Sequence, residues 1–227
     1  MKHVYTGSTL QQLRQNLNKQ EDRSRARQSA KRVLTITCLR NLLPDRDTVD
    51  KVLKTYFDTF ETTYRILHAP TFWKAYSSYW DVSRNSNEEM DAIVLGILAC
   101  TLCTSTHATP RYNINGSSFR GKAIVWLKAC QTWLRRQSNK RRTLASLQVR
   151  LLLLLALSTT CMKTKEYYQE VQAHMGFMIS SGMHRNPGVL GNRCCVFEEE
   201  IRRRLWATTM ELEMQASIDK GKPYDQL

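Results

Sequence analysis

Read from its N-terminus, the chain changes character near Val33. Residues 1–32 are polar, basic and rich in Gln, Arg and Ser, with almost no apolar periodicity. A segment with helical propensity but no face to bury reads as a disordered arm or linker, leaving 33–227 as the folded domain. Beyond Val33 the apolar residues recur at helical steps. Asp45 or Asp47 can cap a helix that opens after Pro44. Val49, Val52, Leu53, Tyr56, Phe57, Phe60 and Tyr64 make one broad face of it. Because Pro70 disfavours helix at Ala69, this helix should stop near His68, and a short aromatic helix, TFWKAYSSYW, should begin at Thr71. Asn85 or Ser86 is placed to cap the next helix, with Glu88, Glu89 and Asp91 in its first turn.

That next helix runs through MDAIVLGILACTLC and is apolar on nearly every side, which assigns it to the centre of a bundle. HATPRYNINGSS reads as a loop. A further helix covers about Phe119 to Gln137, with Ile124, Leu127 and Leu134 on one face, and the basic run Arg135 to Arg142 connects it onward. Leu144 to Leu157 is the most hydrophobic stretch. Lys163 to Ser181 is an amphipathic helix that Gly182 closes. MHRNPGVLGN is a turn-rich loop, and a last helix runs from about Phe197 to Ile218 before a coil holding Gly221 and Pro223. The pattern gives seven or eight helices and no strand, hence an all-α fold packed as a single bundle or array.

Composition sharpens this. Only 9 Gly and 5 Pro in 227 residues favour long helices, and 42% hydrophobic content suffices for one sizeable core. The net charge of +14 points to a polyanionic partner. Much of it sits in the N-terminal arm, which reads as a solvated linker, a nuclear-import patch or a weak DNA-backbone contact. The longest apolar run, Leu151 to Leu157, falls far short of the ~20 residues of a bilayer span. The start has no apolar signal region, so the 7 cysteines read as reduced thiols of an intracellular protein.

Candidate chemistry is thin. Cys100 and Cys103 form a lone Cys-x2-Cys inside an apolar helix, and Cys194 and Cys195 are adjacent in a loop. Neither supplies the four ligands of a structural zinc site. The 5 histidines are scattered, and no zinc-protease, nucleophile-elbow or phosphate-loop motif occurs, so no catalytic constellation is expected. The last helix is more informative. Glu198, Glu199 and Glu200 precede Arg202, Arg203 and Arg204 by four, the favourable orientation for helix ion pairs worth roughly 0.2–0.5 kcal/mol each. Ile201, Leu205, Thr208 and Leu212 form its buried stripe, with Trp206 at the edge. This is a salt-bridged helix locked on the core or, alternatively, a guanidinium cluster that grips a ligand carboxylate or an acidic partner.

Four ordered segments resemble the fungal-specific transcription factor domain, the middle homology region of zinc-binuclear-cluster regulators. LPDRDTVDKVLKTYFDTF and YRILHAPTF are similar to its opening helix and its signature at His68, Pro70, Thr71 and Phe72. LASLQVRLLLLLALS is similar to its leucine-rich central helix, with Gln148 in place. GMHRNP is similar to its Gly-Leu-His-Arg loop around His184, with Met183 replacing the leucine. EEEIRRRLWATTMELEMQASIDKGKP is similar to its run of Arg, Leu and Trp (Arg202, Arg203, Arg204, Leu205, Trp206) leading to Gly221 and Pro223. The resemblance covers about residues 42–225.

It implies a nuclear transcription regulator that acts through a protein partner or as a homodimer, with a small-molecule effector as a further expectation and no membrane. The family's six-cysteine zinc cluster is not among these cysteines. Zinc and base-reading residues are therefore expected only in a missing N-terminal cluster, with no cofactor in this chain, and the chain is expected to be truncated at both ends relative to the family. An alternative is a stand-alone helical interaction protein that titrates a full-length regulator.

Overall fold

The computed structural model describes residues 38–81, 87–104, 109, 112–113, 116–137, 143–160, 163–188 and 195–221. The basic arm, Lys140 to Arg142, Cys161, Cys194 and Pro223 lie outside them. The chain divides after Cys38, and every contact below belongs to the unit that begins at Leu39. A 3-10 turn, Leu39–Leu42, leads into α1 (Arg46–Asp58), α2 (Phe60–Tyr64), α3 (Ala69–Ser77), α4 (Glu88–Thr101), α5 (Ser118–Arg136), α6 (Leu144–Thr159), α7 (Thr164–Ser180) and α8 (Val196–Lys220). The fold is all-α.

The two most apolar helices form its centre. Every residue of α4 from Met90 to Thr101 is buried, as is every residue of α6 from Leu151 to Leu157. Stretches buried on every side must be surrounded by other helices. α4 packs on α6, α5 and α1, while α7 and α8 pair with each other and close over α6. A glycine permits the central approach: a Cβ on Gly96 would lie 3.1 Å from Leu152 Cβ.

Helix ends follow side-chain chemistry. Asp45 caps α1 by accepting the Thr48 N–H at 2.9 Å. Gly182 closes α7 at φ +71°, a left-handed conformation that glycine adopts without steric cost. The Gly182 N–H bonds to Ile179 C=O and the Met183 N–H to Met178 C=O, a Schellman closure.

Four sequence expectations are corrected. The first helix does not reach His68. It breaks at Thr59, and α2 ends on Arg65 in the left-handed region at φ 50°. The break turns Glu61 inward, where its carboxylate caps Leu67 and meets Tyr56. Pro70 opens a helix rather than stopping one. His68 is the N-cap, and Pro70 sits in the first turn of α3, where a missing N–H costs nothing. The cap of α4 is Asn87, which accepts the Met90 N–H at 3.2 Å; the expected caps, Asn85 and Ser86, lie outside the described residues. A two-residue antiparallel ladder, β1 (Tyr112–Asn113) with β2 (Gly116–Ser117), lies where only loop was expected.

Candidate functional site

Part of the signature meets at one junction, where the turn between α2 and α3 lies against α6 and α8. Its anchor is Glu61. Glu61 accepts the Tyr56 hydroxyl at 2.8 Å through one oxygen and the Leu67 N–H at 2.9 Å through the other. Burial pushes its carboxyl up to about 7, against the hydrogen bonds and the Arg204 charge, which act in the opposite direction. The adjoining turn is pinned from both sides. Gln148 on α6 donates its side-chain N–H to Ile66 C=O at 3.0 Å, and the Thr208 hydroxyl on α8 donates to Tyr64 C=O.

His68 couples α3 to α8. Its Nδ1 lies 2.7 Å from the Thr71 hydroxyl, and its ring meets Phe197 edge-on at 5.1 Å. Phe72 is buried between Phe57, at 5.0 Å, and Tyr76, at 5.8 Å. On α8, Leu205 is fully buried, Trp206 packs 6.1 Å from the His184 ring, and Gly221 closes the helix in the left-handed region.

The three arginines are engaged on their own helix. Arg202 lies 3.9 Å from Glu198, Arg203 lies 3.1 Å from Glu199, and Arg204 lies 2.8 Å from Glu200. The Arg204 hydrogen bond holds the Glu200 carboxyl below its ordinary value.

Several polar residues of consequence carry no motif. Asp91 looks like an ordinary first-turn acid, yet it is fully buried, accepts the Tyr79 hydroxyl at 2.5 Å and lies 3.4 Å from Arg40. Arg40 stacks over the Tyr79 ring at 3.9 Å and the Trp80 ring at 4.7 Å, tying the 3-10 turn to α4. Cys100 is fully buried, and burial pushes its thiol up to about 12, which suits a small packed side chain rather than a nucleophile. Cys195 is exposed at the start of α8. Among the described residues no three His, Cys, Asp or Glu side chains come together as a metal site, and no helix is long and apolar enough to cross a membrane.

The junction joins parts of the chain separated by up to 144 residues through hydrogen bonds, so it clamps the turn between α2 and α3 onto α6 and α8. The profile of the family described as the fungal specific transcription factor domain matches residues 53–227, the stretch that contains the whole junction. The chain belongs to that family. Transcription factor opdR of Penicillium oxalicum is 32% identical over 182 residues, covering 80% of this chain and 22% of that protein. Transcription factor asR3 of Sarocladium schorii is 32% identical over 189 residues, 79% of this chain and 21% of that protein. Transcription factor lepE of Aspergillus flavus is 27% identical over 194 residues, 85% of this chain and 23% of that protein. The chain thus spans about a fifth of the length of these curated relatives. No solved structure matches it.

Proposed function

We propose that this chain is the regulatory domain of a nuclear fungal transcription factor, gating its activity through intramolecular packing, a protein partner or homodimer, or a small-molecule effector. The observation that carries the reading is the family match over residues 53–227, whose relatives bear the name transcription factor. In this reading DNA is read by a zinc cluster outside these residues. The basic arm adds weak, salt-sensitive backbone affinity at most. The reading assigns no catalysis to the junction, whose residues bind one another, or to the buried thiols, which are held protonated.

The test is to fuse the 227-residue chain to a heterologous DNA-binding domain and follow a reporter across growth conditions. The proposal expects the fusion to raise or lower expression, relative to the DNA-binding domain alone, in at least one condition. A reporter indifferent to the fusion throughout would defeat it.

A further inference from the structure

A cleft of ≈ 400 Å³ opens between α5, α6 and α7. Leu153 and Leu157 supply apolar wall, and Arg150, Glu170, Ala173 and His174 supply the rest of the lining that matters here. The Arg150 guanidinium lies flat on the Phe177 ring at 3.8 Å, which holds a permanent cation beside the cleft.

His174 is the unusual member. It is only 5% exposed, and its Nε2 lies 3.2 Å from the Thr209 hydroxyl on α8. The Thr209 hydroxyl donates its single hydrogen to Leu205 C=O at 2.8 Å, so towards the imidazole its oxygen must accept. Nε2 therefore carries the ring proton. Nδ1 is left as a bare lone pair, buried and without a hydrogen-bond partner. Burial, with the nearby Arg150 charge, lowers the pKa of the ring to about 3, so protonation does not supply the missing hydrogen at neutral pH. A buried acceptor without a donor is exceptional in a folded protein and calls for an explanation.

We infer that the cleft binds a small amphipathic acid whose carboxylate pairs with Arg150, whose O–H or N–H donates to His174 Nδ1, and whose apolar body lies along Leu153 and Leu157. The charge of the lining fits an anion, since Arg135 and Arg150 outweigh Glu170. The mixture of apolar wall with a few convergent polar groups is the usual make-up of a small-molecule site. The occupant would bridge α5 and α6 to α7, the helix that carries α8. The role of this site as an effector site rests on the regulatory reading above, whereas the binding itself does not.

The test is calorimetric titration of the purified 227-residue chain with 3-hydroxyoctanoate, octanoate and octane-1,3-diol. One saturable site is expected, with 3-hydroxyoctanoate at least ten-fold tighter than octanoate, which lacks the donor, and than the diol, which lacks the carboxylate. Arg150→Met should bring the hydroxy acid down to the level of the diol. Ala173→Trp fills the cleft from an exposed position, so it should leave the unliganded melting temperature unchanged while weakening binding at least ten-fold. No binding by any probe, equal binding by all three, or full binding by a folded Ala173→Trp variant would overturn the assignment. A reporter fusion that ignores acids bound in the titration would count against the regulatory reading and leave the site standing.

Discussion

Replacing Glu61 with glutamine should make this protein more stable at neutral pH, although Glu61 sits at its best-connected polar junction. Glu61 titrates at about 7 in the fold, against 4.5 for a free side chain, chiefly because it is buried. The folded state therefore holds the proton more tightly than the unfolded chain does. That contribution is complete below pH 4.5 and is lost as pH rises through 7. At about 1.36 kcal/mol per pH unit, the loss over this window is about 3 kcal/mol. Glutamine imitates the protonated acid: its oxygen can accept the Leu67 N–H, and its amide N–H can face the Tyr56 oxygen. Urea unfolding, followed by tryptophan fluorescence between pH 4.5 and 8, measures the difference between Glu61→Gln and the unaltered chain. The difference cancels every other titrating group, His174 included. It should lie near zero at pH 4.5 and grow to about 2–3 kcal/mol in favour of glutamine by pH 7.5. A pH-independent difference would show that burial does not govern Glu61. Alanine, which leaves the Leu67 N–H and the Tyr56 hydroxyl unanswered, should destabilise at every pH.

Three further outcomes follow from the core. Gly96→Ala gains roughly 1 kcal/mol of helix propensity but drives a methyl to within 3.1 Å of Leu152 Cβ, which is fixed to the α6 backbone and cannot swing aside. With overpacking at about 1–3 kcal/mol, thermal unfolding should show a net loss of about 0–2 kcal/mol. Asp91→Ala strands Arg40 and the Tyr79 hydroxyl together and should cost about 3 kcal/mol by urea unfolding, with Asp91→Asn costing less because it keeps an acceptor for Tyr79. For His174, whose ring is held down at about 3 by burial and then by Arg150, the stabilising contribution is complete above pH 6.5 and is lost as pH falls from there toward 3. Its NMR ring signals should stay at their neutral-form positions down to pH 5, and a midpoint near 6.5 would refute the burial argument.

Where hydrophobicity alone decided, the sequence was readable. Ala92 to Cys100 of α4 and Leu151 to Leu157 of α6 are apolar all round, and nothing but the centre of the bundle could satisfy them. The errors lie where a tertiary contact overrode local preference. No proline or glycine marks the break at Thr59, and Arg65 is an unmarked residue for a left-handed turn, so the break follows from where the Glu61 carboxylate must point. Pro70 carries two opposed signals, restricting the residue before it and suiting a first helical turn, and the cap from His68 that decides between them is a feature of the fold.

The same reasoning separates the two polar centres. The junction was legible only in part: Tyr64, Gln148 and Thr208 fall in segments that resemble one family, whereas its anchor, Glu61, lies between two of those segments and reads as an ordinary residue. The cleft left no such trace. Arg150 and His174 are 24 positions apart on two helices, and each reads as an ordinary residue of an amphipathic pattern. What singles out His174 is the direction of one hydrogen on Thr209, set in turn by Leu205 C=O. Periodicity reports which side of a helix is buried, but it cannot report whether a buried nitrogen has found its donor. That information exists only after α7 and α8 have been laid against each other, which is why a ligand site can be specified by a sequence and still be unreadable in it.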